Sequence, residues 1–168
     1  MNLASSISIY AGGAGSGCNP EAGKCGRSVL YHVTDEKHLS SILKNGLRTQ
    51  KSGAPKTNTE FEDFHDKNVV YALQKPELYK TVIGNKLDFG EMEDGRESHQ
   101  VLVAFNSSGK IVSDTETEDD DGKPWGVKHI GSVPPENIIG YHKISGLKTT
   151  GYPTKVSAKL SPMIRKQK

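Results

Sequence analysis

The sequence predicts an α+β fold of short β-strands, with two helices near the N-terminal end of the folded part. Short apolar runs rich in β-branched residues recur along the 168-residue chain, bounded by Gly, Pro, Asn and Asp, as strands are. In two other segments the apolar residues recur three or four positions apart, as on one face of a helix. No spacing repeats along the chain, so a repeat architecture is not expected.

The first strand is predicted at Val29 to Val33, and a helix follows it directly. Asp35, or alternatively Thr34, suits the N-cap of that helix, an interaction worth about 1 kcal/mol. Gly46 suits the left-handed residue that ends a helix. The apolar face between them consists of Leu39, Ile42 and Leu43.

The second strand is predicted at residues 68 to 73, and Pro76 suits the start of a second helix that ends near Gly84. Pro134 and Pro135 mark a corner before the last strand, because proline cannot sit inside a central ladder. The acidic run from Asp114 to Asp121 is predicted to be a loop. A further strand is predicted at residues 101 to 105, with residues 110 to 112 as its short continuation after a turn. Two more strands are predicted at residues 125 to 130 and 141 to 144.

Three segments differ in composition. Residues 11 to 26 are rich in glycine, and residues 1 to 26 are predicted to be a disordered linker or tail. Residues 27 to 146 are predicted to form the folded domain, and residues 147 to 168 a basic C-terminal tail. A solvated tail is the expectation, and contact with nucleic acid or another acidic surface is the alternative. The glycine-rich linker is similar to those that join domains in phage head-morphogenesis proteins.

Composition excludes several classes of function. The net charge of +2 is nearly balanced, so the chain as a whole is no obvious nucleic-acid binder. No stretch is long and apolar enough to span a bilayer or direct export, so the protein is expected to be soluble, away from membranes and not secreted by its own signal. Two cysteines and six unpaired histidines predict no metal site. No phosphate-binding loop or nucleophile elbow is present.

The strongest motif is Tyr31-His32-Val33-Thr34, which is followed by the helix that ends Ile42-Leu43-Lys44-Asn45-Gly46-Leu47 and later by Val70-Tyr71. This order resembles the ADP-ribosyltransferase fold in its histidine-tyrosine branch, which diphtheria-type toxins and poly(ADP-ribose) polymerases share. The resemblance covers about residues 29 to 145. It implies a split β-sheet, NAD as a substrate, and transfer of ADP-ribose to a macromolecule, either protein or nucleic acid.

The resemblance also implies site residues. His32 would hold the ribose, the backbone of Val33 would grip the nicotinamide carboxamide, and Thr34 would steady the turn. Val33 stands where many members have glycine. Tyr71 would stack on the nicotinamide ring, and Tyr79 would cover the other face of that ring.

The third catalytic element of active members is an acidic residue on a late strand, which stabilises the positive charge on the ribose. Residues 125 to 130 contain no carboxylate. Three alternatives stay open. A carboxylate from Glu116-Thr117-Glu118, with Glu118 the catalytic candidate, would fold over the cleft. His129 would serve instead, which favours a phosphate-bearing substrate as in the related RNA 2′-phosphotransferases. Or the domain binds a nucleotide without catalysis, as a virion or anti-defence module.

The resemblance and the linker together imply a phage effector or toxin-like transferase that meets its target in the host bacterial cytoplasm or travels in the virion. The expected partners are NAD and an unidentified host macromolecule.

Overall fold

The structure is a computed structural model, and it describes residues 28–50, 67–88, 99–118, 121–122 and 124–167. The predicted linker at residues 1 to 26 lies outside the described residues. Neither helix in the described part of the chain is long and apolar enough to cross a membrane.

The described residues form one antiparallel sheet of eight strands and two helices, which confirms the α+β class. The strand order is β4-β5-β2-β1-β3-β6-β7, and β8 pairs with β6. The elements are β1 Val29–Asp35, α1 Leu39–Asn45, β2 Val69–Leu73, α2 Tyr79–Asp88, β3 Gln100–Asn106, β4 Ile111–Glu118, β5 Pro124–Ile130, β6 Ile138–Thr150, β7 Lys155–Leu160 and β8 Ile164–Arg165. Short 3₁₀ turns precede α1, α2 and β6.

β1 is joined very differently to its two neighbours. It pairs with β3 over all seven of its residues, whereas its register with β2 is the single pair Tyr31 and Leu73. At its other edge, β2 pairs with β5 over all of its residues from Val69 to Leu73. The sheet therefore contains two well-paired groups, β4-β5-β2 and β1-β3-β6-β7, which meet at one narrow joint.

Each face of the sheet has its own hydrophobic cluster, because alternate residues of a strand point to opposite faces. One cluster lies under α1 and contains Leu30, Val70, Val103 and Phe105, with Ile42 from the helix. The other lies under α2 and contains Val33, Leu73, Tyr79, Ile83 and Leu102. We call these the α1 face and the α2 face.

The predicted ends of the first helical segment are confirmed. The Asp35 carboxylate accepts a hydrogen bond from the Lys37 amide at 2.9 Å, and Gly46 ends α1 with a φ of 82°. Leu47 then pairs with Val133 through two backbone hydrogen bonds of 2.7 and 3.0 Å, so the helix end is fixed to the turn before β6.

The acidic run was predicted to be a loop, but its first half belongs to β4. Residues 111 to 118 pair with β5 and form the far edge of the sheet, so they are not a continuation of β3. The register shifts between Asp114 and Glu118, where β4 forms a bulge. Thr117 fixes the bulge, since its hydroxyl donates to the Asp114 carbonyl at 2.8 Å and accepts from the Gly126 amide at 3.1 Å.

The predicted C-terminal tail is also corrected. Residues 147 to 165 form the end of β6, all of β7 and β8. The physical reason is the alternation in Lys155-Val156-Ser157-Ala158-Lys159-Leu160, whose apolar residues pack on the α2 face while its lysines stay exposed. The Asp88 carboxylate at the end of α2 accepts hydrogen bonds from the Thr154 amide, which attaches the helix to this hairpin.

Candidate functional site

The ring of His32 lies at the joint between β1 and β2. Its Nδ1 is 2.7 Å from the Tyr71 carbonyl oxygen. A carbonyl can only accept, so Nδ1 carries the proton of this hydrogen bond. The ring therefore links the two groups of strands at the place where β1 and β2 share a single residue pair. It also gives the Tyr71 carbonyl of β2 a hydrogen-bond donor.

The neutral form of His32 is strongly favoured. Burial, helped by the nearby charges of Lys86 and His38, lowers the pKa of the imidazole to about 4, and the hydrogen bond to the Tyr71 carbonyl opposes this shift. The ring is half-buried, and Nε2 has no hydrogen-bond partner among the described residues. With the proton on Nδ1, Nε2 is an acceptor at neutral pH and is suited to a donor such as a hydroxyl group.

Val33 and Thr34 complete the predicted motif from within the sheet. The Val33 side chain is buried on the α2 face, and its carbonyl accepts a hydrogen bond from Lys86 Nζ at 3.3 Å. Thr34 is buried and pairs with Val101 of β3. A lysine from α2 thus lies beside the backbone group to which the resemblance assigns the carboxamide contact.

Tyr71 is half-buried, and the structure places it among charged side chains. Lys128, its cross-strand partner on β5, holds Nζ 5.9 Å from the centre of the Tyr71 ring. The same ammonium lies 3.7 Å from a carboxylate oxygen of Glu116, whose side chain is 51% exposed. Tyr71, Lys128 and Glu116 therefore form a row across β2, β5 and β4.

His32 and Tyr71 are brought together through the Tyr71 backbone rather than through their rings. Strand alternation puts His32 on the α1 face with Leu30, and Tyr71 on the α2 face with Leu73. The joint lies between the two side chains. A ligand that touches both must therefore extend across the joint.

Tyr79 lies in the hydrophobic core. Only 4% of its surface is exposed, it packs with Ile83 and Leu102 on the α2 face, and burial raises the pKa of its phenol. The predicted stacking role of Tyr79 would require the ring to leave this cluster.

His129 is fully buried on the α1 face. Its Nδ1 donates to the Gly131 carbonyl at 2.9 Å, and its Nε2 accepts from the amides of Ser108 and Gly109, both at 3.2 Å. The ring also meets Phe105 edge-to-face, with centroids 5.9 Å apart. Nε2 thus holds the turn between β3 and β4, and Nδ1 holds the residue that follows β5. A ligand cannot reach either nitrogen while these bonds persist.

Glu118 lies at the end of β4, opposite Pro124, and is exposed. The predicted catalytic pair is therefore divided by the bulge: Glu116 reaches Lys128 and the row that contains Tyr71, whereas Glu118 lies at the outer end of the hairpin. The sequence pointed to the pair of Glu116 and Glu118, with Glu118 as the catalytic candidate, and could not show which of the two reaches the Tyr71 row. Lys86 gave no signal in the sequence, because a lysine on a helix is ordinarily a solvated surface residue. Lys128 stands beside His129 in the segment where the resemblance expects a carboxylate, but the sequence assigned it no role.

Comparison with known proteins gives a similarity of fold. No family model matches the sequence, and no curated protein matches it. Solved structures do match it. The fold is similar to that of EcPltA. The match has a TM-score of 0.52 and 11% sequence identity, and it covers 84% of this chain and 86% of EcPltA.

The match to EcPltA spans nearly the whole of both chains, so it concerns the arrangement of the sheet and helices rather than a single motif. At 11% identity it shows the fold alone. The chemistry of the site has to be argued from the residues around the joint.

Proposed function

We propose that this chain is an ADP-ribosyltransferase-type domain that binds NAD at the joint between β1 and β2 and transfers ADP-ribose to a macromolecule of a bacterial host. The observation that carries the proposal is the His32 ring, which occupies the joint as a neutral imidazole with Nε2 left as an acceptor. A ribose hydroxyl is a donor of the right kind for that nitrogen. In this proposal the narrow joint corresponds to the division of the split sheet.

The charged groups around the joint suit the rest of a dinucleotide. Lys86, at the Val33 carbonyl, is placed to meet a phosphate, and the Tyr71 ring offers a flat surface for the nicotinamide. The positive charge of Lys128 would repel a cationic nicotinamide ring at that surface. The Glu116 carboxylate, 3.7 Å from Lys128 Nζ, offsets that positive charge.

Within this proposal Glu116 is the acidic group that stabilises the positive charge developing on the ribose. It is the carboxylate that the β4 bulge brings to the Tyr71 row, and bulges commonly redirect a side chain beside an active site. Glu118 is the matched control, because it is a glutamate on the same strand but lies at the outer end of the β4–β5 hairpin.

Binding is tested by thermal denaturation with and without NAD, since a ligand that binds only the folded state raises the melting temperature. We expect His32→Ala to abolish the NAD-induced shift. His142→Ala is the matched control, because the half-buried His142 also holds a backbone carbonyl through Nδ1, at 2.8 Å from Ser161 O, but on β6. Equal NAD-induced shifts in the two variants would show that NAD does not bind at the joint.

Transfer is tested with labelled NAD and a bacterial lysate. Glu116→Gln should lower turnover by roughly a hundredfold, as does loss of one charge-stabilising group in other active sites, with NAD binding retained. Glu118→Gln should leave turnover within about twofold of the wild type, because an exposed charge at the hairpin end is screened by solvent. If Glu118→Gln lowered turnover more than Glu116→Gln did, Glu118 would be the acidic group that stabilises the charge on the ribose.

A second candidate function is nucleotide binding without transfer. Two observations favour it: β5 carries no carboxylate, and Lys128 lies on the Tyr71 ring. A related alternative is an RNA 2′-phosphotransferase-like reaction, because the ammonium groups of Lys86 and Lys128 also suit the phosphate of an RNA substrate. A wild-type protein that binds NAD, cleaves none of it and removes no 2′-phosphate from RNA would establish this second function in place of the first.

A further inference from the structure

The long hairpin of β6 and β7 carries an exposed basic surface on its α1 side. The core of the α1 face ends at Val101, whose partner on β6 is Lys143. Beyond that pair, alternate residues of the hairpin are exposed, while the residues between them pack on the α2 face. We call the exposed set the basic face; it consists of Lys143, Ser145, Lys148, Thr150, Lys155, Ser157 and Lys159.

On the basic face each lysine of the paired segment lies opposite a hydroxyl residue. The cross-strand pairs are Lys159 with Ser145, Lys148 with Ser157, and Lys155 with Thr150. Directly opposite residues have Cβ atoms about 5 Å apart, and successive pairs on one face are about 7 Å apart along the strands. With Lys143, the basic face therefore presents four ammonium groups along about 20 Å of sheet, most of them beside a hydroxyl donor.

Ion pairs within the described part of the chain do not neutralise the positive charge of this surface. The sequence contains no acidic residue after Glu136. None of the four lysines forms an ion pair with any residue in the described ranges. The Asp88 carboxylate reaches this hairpin at Thr154, where it accepts hydrogen bonds from the amide. A row of ammonium and hydroxyl donors that form no ion pairs is complementary to a chain of phosphates, whose oxygens are acceptors.

An aromatic ring lies at the tip of the same hairpin. Tyr152 is in the turn between β6 and β7, next to the pair of Thr150 and Lys155, and 85% of its surface is exposed. Exposed aromatic rings beside a basic track are the means by which proteins stack on unpaired bases. The outward residues of the basic face are all polar, so it lacks the apolar side chains that would enter a lipid bilayer.

We propose that the basic face binds single-stranded nucleic acid, with its lysines and hydroxyls on the phosphates and Tyr152 stacked on a base. The surface starts close to the candidate site, because Thr34, Val101 and Lys143 form one row across β1, β3 and β6. Two strand spacings, about 10 Å, separate β1 from β6. This part of the inference rests on the proposed function: the bound nucleic acid is the acceptor of the ADP-ribosyl group.

The test measures binding of the full chain to a labelled single strand of about 20 nucleotides by fluorescence anisotropy, without NAD. With four phosphate contacts, the logarithm of the association constant should fall with the logarithm of the salt concentration with a slope of about −3. The variant Lys148→Gln/Lys155→Gln should reduce that slope by about half and weaken binding about 25-fold at 0.1 M salt.

The matched control is Lys75→Gln/Lys80→Gln, which removes the same charge from two exposed lysines on the α2 side. It should leave the slope unchanged and weaken binding less than about twofold, because a change in net charge alone is screened by salt. Tyr152→Ala should weaken binding to the single strand by about fivefold or more, and Tyr152→Phe should restore it. Circular dichroism of each variant establishes that it is folded.

Three outcomes would overturn the inference: no binding at about 0.05 M salt, equal losses in the two lysine variants, or equal dependence on these lysines for phosphatidylserine vesicles or polyglutamate. Binding of duplex DNA as tight as that of the single strand, with no effect of Tyr152→Ala, would also overturn it. Because NAD is absent from these measurements, a failure here leaves the NAD thermal shift, and hence the proposed function, unaffected.

Discussion

Among the described residues, three histidines hold backbone groups with a ring nitrogen, and their surroundings give them different roles. His129 is fully buried with both nitrogens engaged, and His142 of β6 holds the carbonyl of Ser161, the residue that follows β7. His32 holds a carbonyl across the joint and leaves Nε2 available as an acceptor. The sequence could single out His32 by its strand-to-helix context. It could not rank His129, because the burial of that ring depends on strands that are distant in sequence.

The pH dependence of stability should report on His32. Its pKa is lowered, mainly by burial, to about 4. An unfolded histidine takes up its proton near pH 6.5, so protonation favours the unfolded chain as the pH falls from about 6.5 to about 4. His32 should then reduce the free energy of unfolding by at most roughly 3 kcal/mol over that window, with no effect above it. Urea denaturation at several pH values should show a flatter profile for His32→Gln. Parallel profiles for the wild type and the variant would contradict the assignment.

His129→Ala should affect stability and leave NAD binding intact. The change removes the acceptor of two backbone amides, Ser108 and Gly109, and leaves a cavity beside Phe105. The unsatisfied amides and the cavity together should cost roughly 3 to 4 kcal/mol. This corresponds to a fall in melting temperature of about 10 °C for a chain of this size. The NAD-induced shift of the folded variant should equal that of the wild type, and its loss would instead favour a role for His129 at the ligand.

At the scale of elements, the end of α1 is fixed by close contact with the turn before β6. Gly46 has a φ of 82°, and a Cβ there would lie 2.0 Å from the Val133 carbonyl oxygen. Gly131 has nearly the same φ, 84°, but nothing within 4 Å of the added atom. Gly131→Ala should therefore cost only the roughly 1 to 2 kcal/mol of a left-handed alanine, whereas Gly46→Ala should also break the bridge between Leu47 and Val133.

The two glycine variants are compared by chemical denaturation and by hydrogen exchange of the Leu47 and Val133 amides. Gly46→Ala should be less stable than Gly131→Ala by at least about 2 kcal/mol, with fast exchange at both amides. Equal losses would mean that left-handed strain alone explains Gly46, and that the bridge contributes little.

The elements that the sequence predicted correctly are those whose residues carry local signals. β1, α1 and the start of α2 have an N-cap, a closing glycine or a proline in the first turn. The second part of β4 and all of β7 were missed, because runs of charged and hydroxyl residues resemble solvated loops or tails. β4 is held in place by its pairing with β5, and β7 by the α2 face, and both are contacts across the sheet that no local pattern records.

At the scale of the whole molecule, the joint between β1 and β2 divides the sheet, and each helix covers a different face. The resemblance indicated where the chain would place His32 and Tyr71, and the structure brings the two strands together there. It could not indicate the lysines around the joint. Lys86 reaches the Val33 carbonyl because α2 packs against β7 as well as β1, and Lys128 reaches the Tyr71 ring because β5 pairs with β2. Charge at the site is therefore a consequence of the global topology.

Truncation distinguishes a C-terminal tail from an integral part of the sheet. Deletion of residues 151–168 removes β7, exposes Ile83 and its neighbours on the α2 face, and removes the Thr154 groups that bond to Asp88. Because a domain of this size is stable by only about 5 to 15 kcal/mol, loss of one side of the α2 cluster should abolish cooperative unfolding.

Deletion of residues 162–168 is the control for that truncation. It removes β8, which pairs with β6 at Gly140 and Tyr141, and the hydrogen bond from Lys166 to the Pro135 carbonyl. Since these contacts lie at an exposed edge, the shorter deletion should cost roughly 1 to 2 kcal/mol and leave a cooperative transition in urea. If both truncated chains unfolded at the urea concentration of the full chain, residues 147 to 168 would be the basic tail that their composition predicts. If only the longer deletion loses cooperativity, the β6–β7 hairpin supports α2, and through Lys86 it supports the charged side of the candidate site.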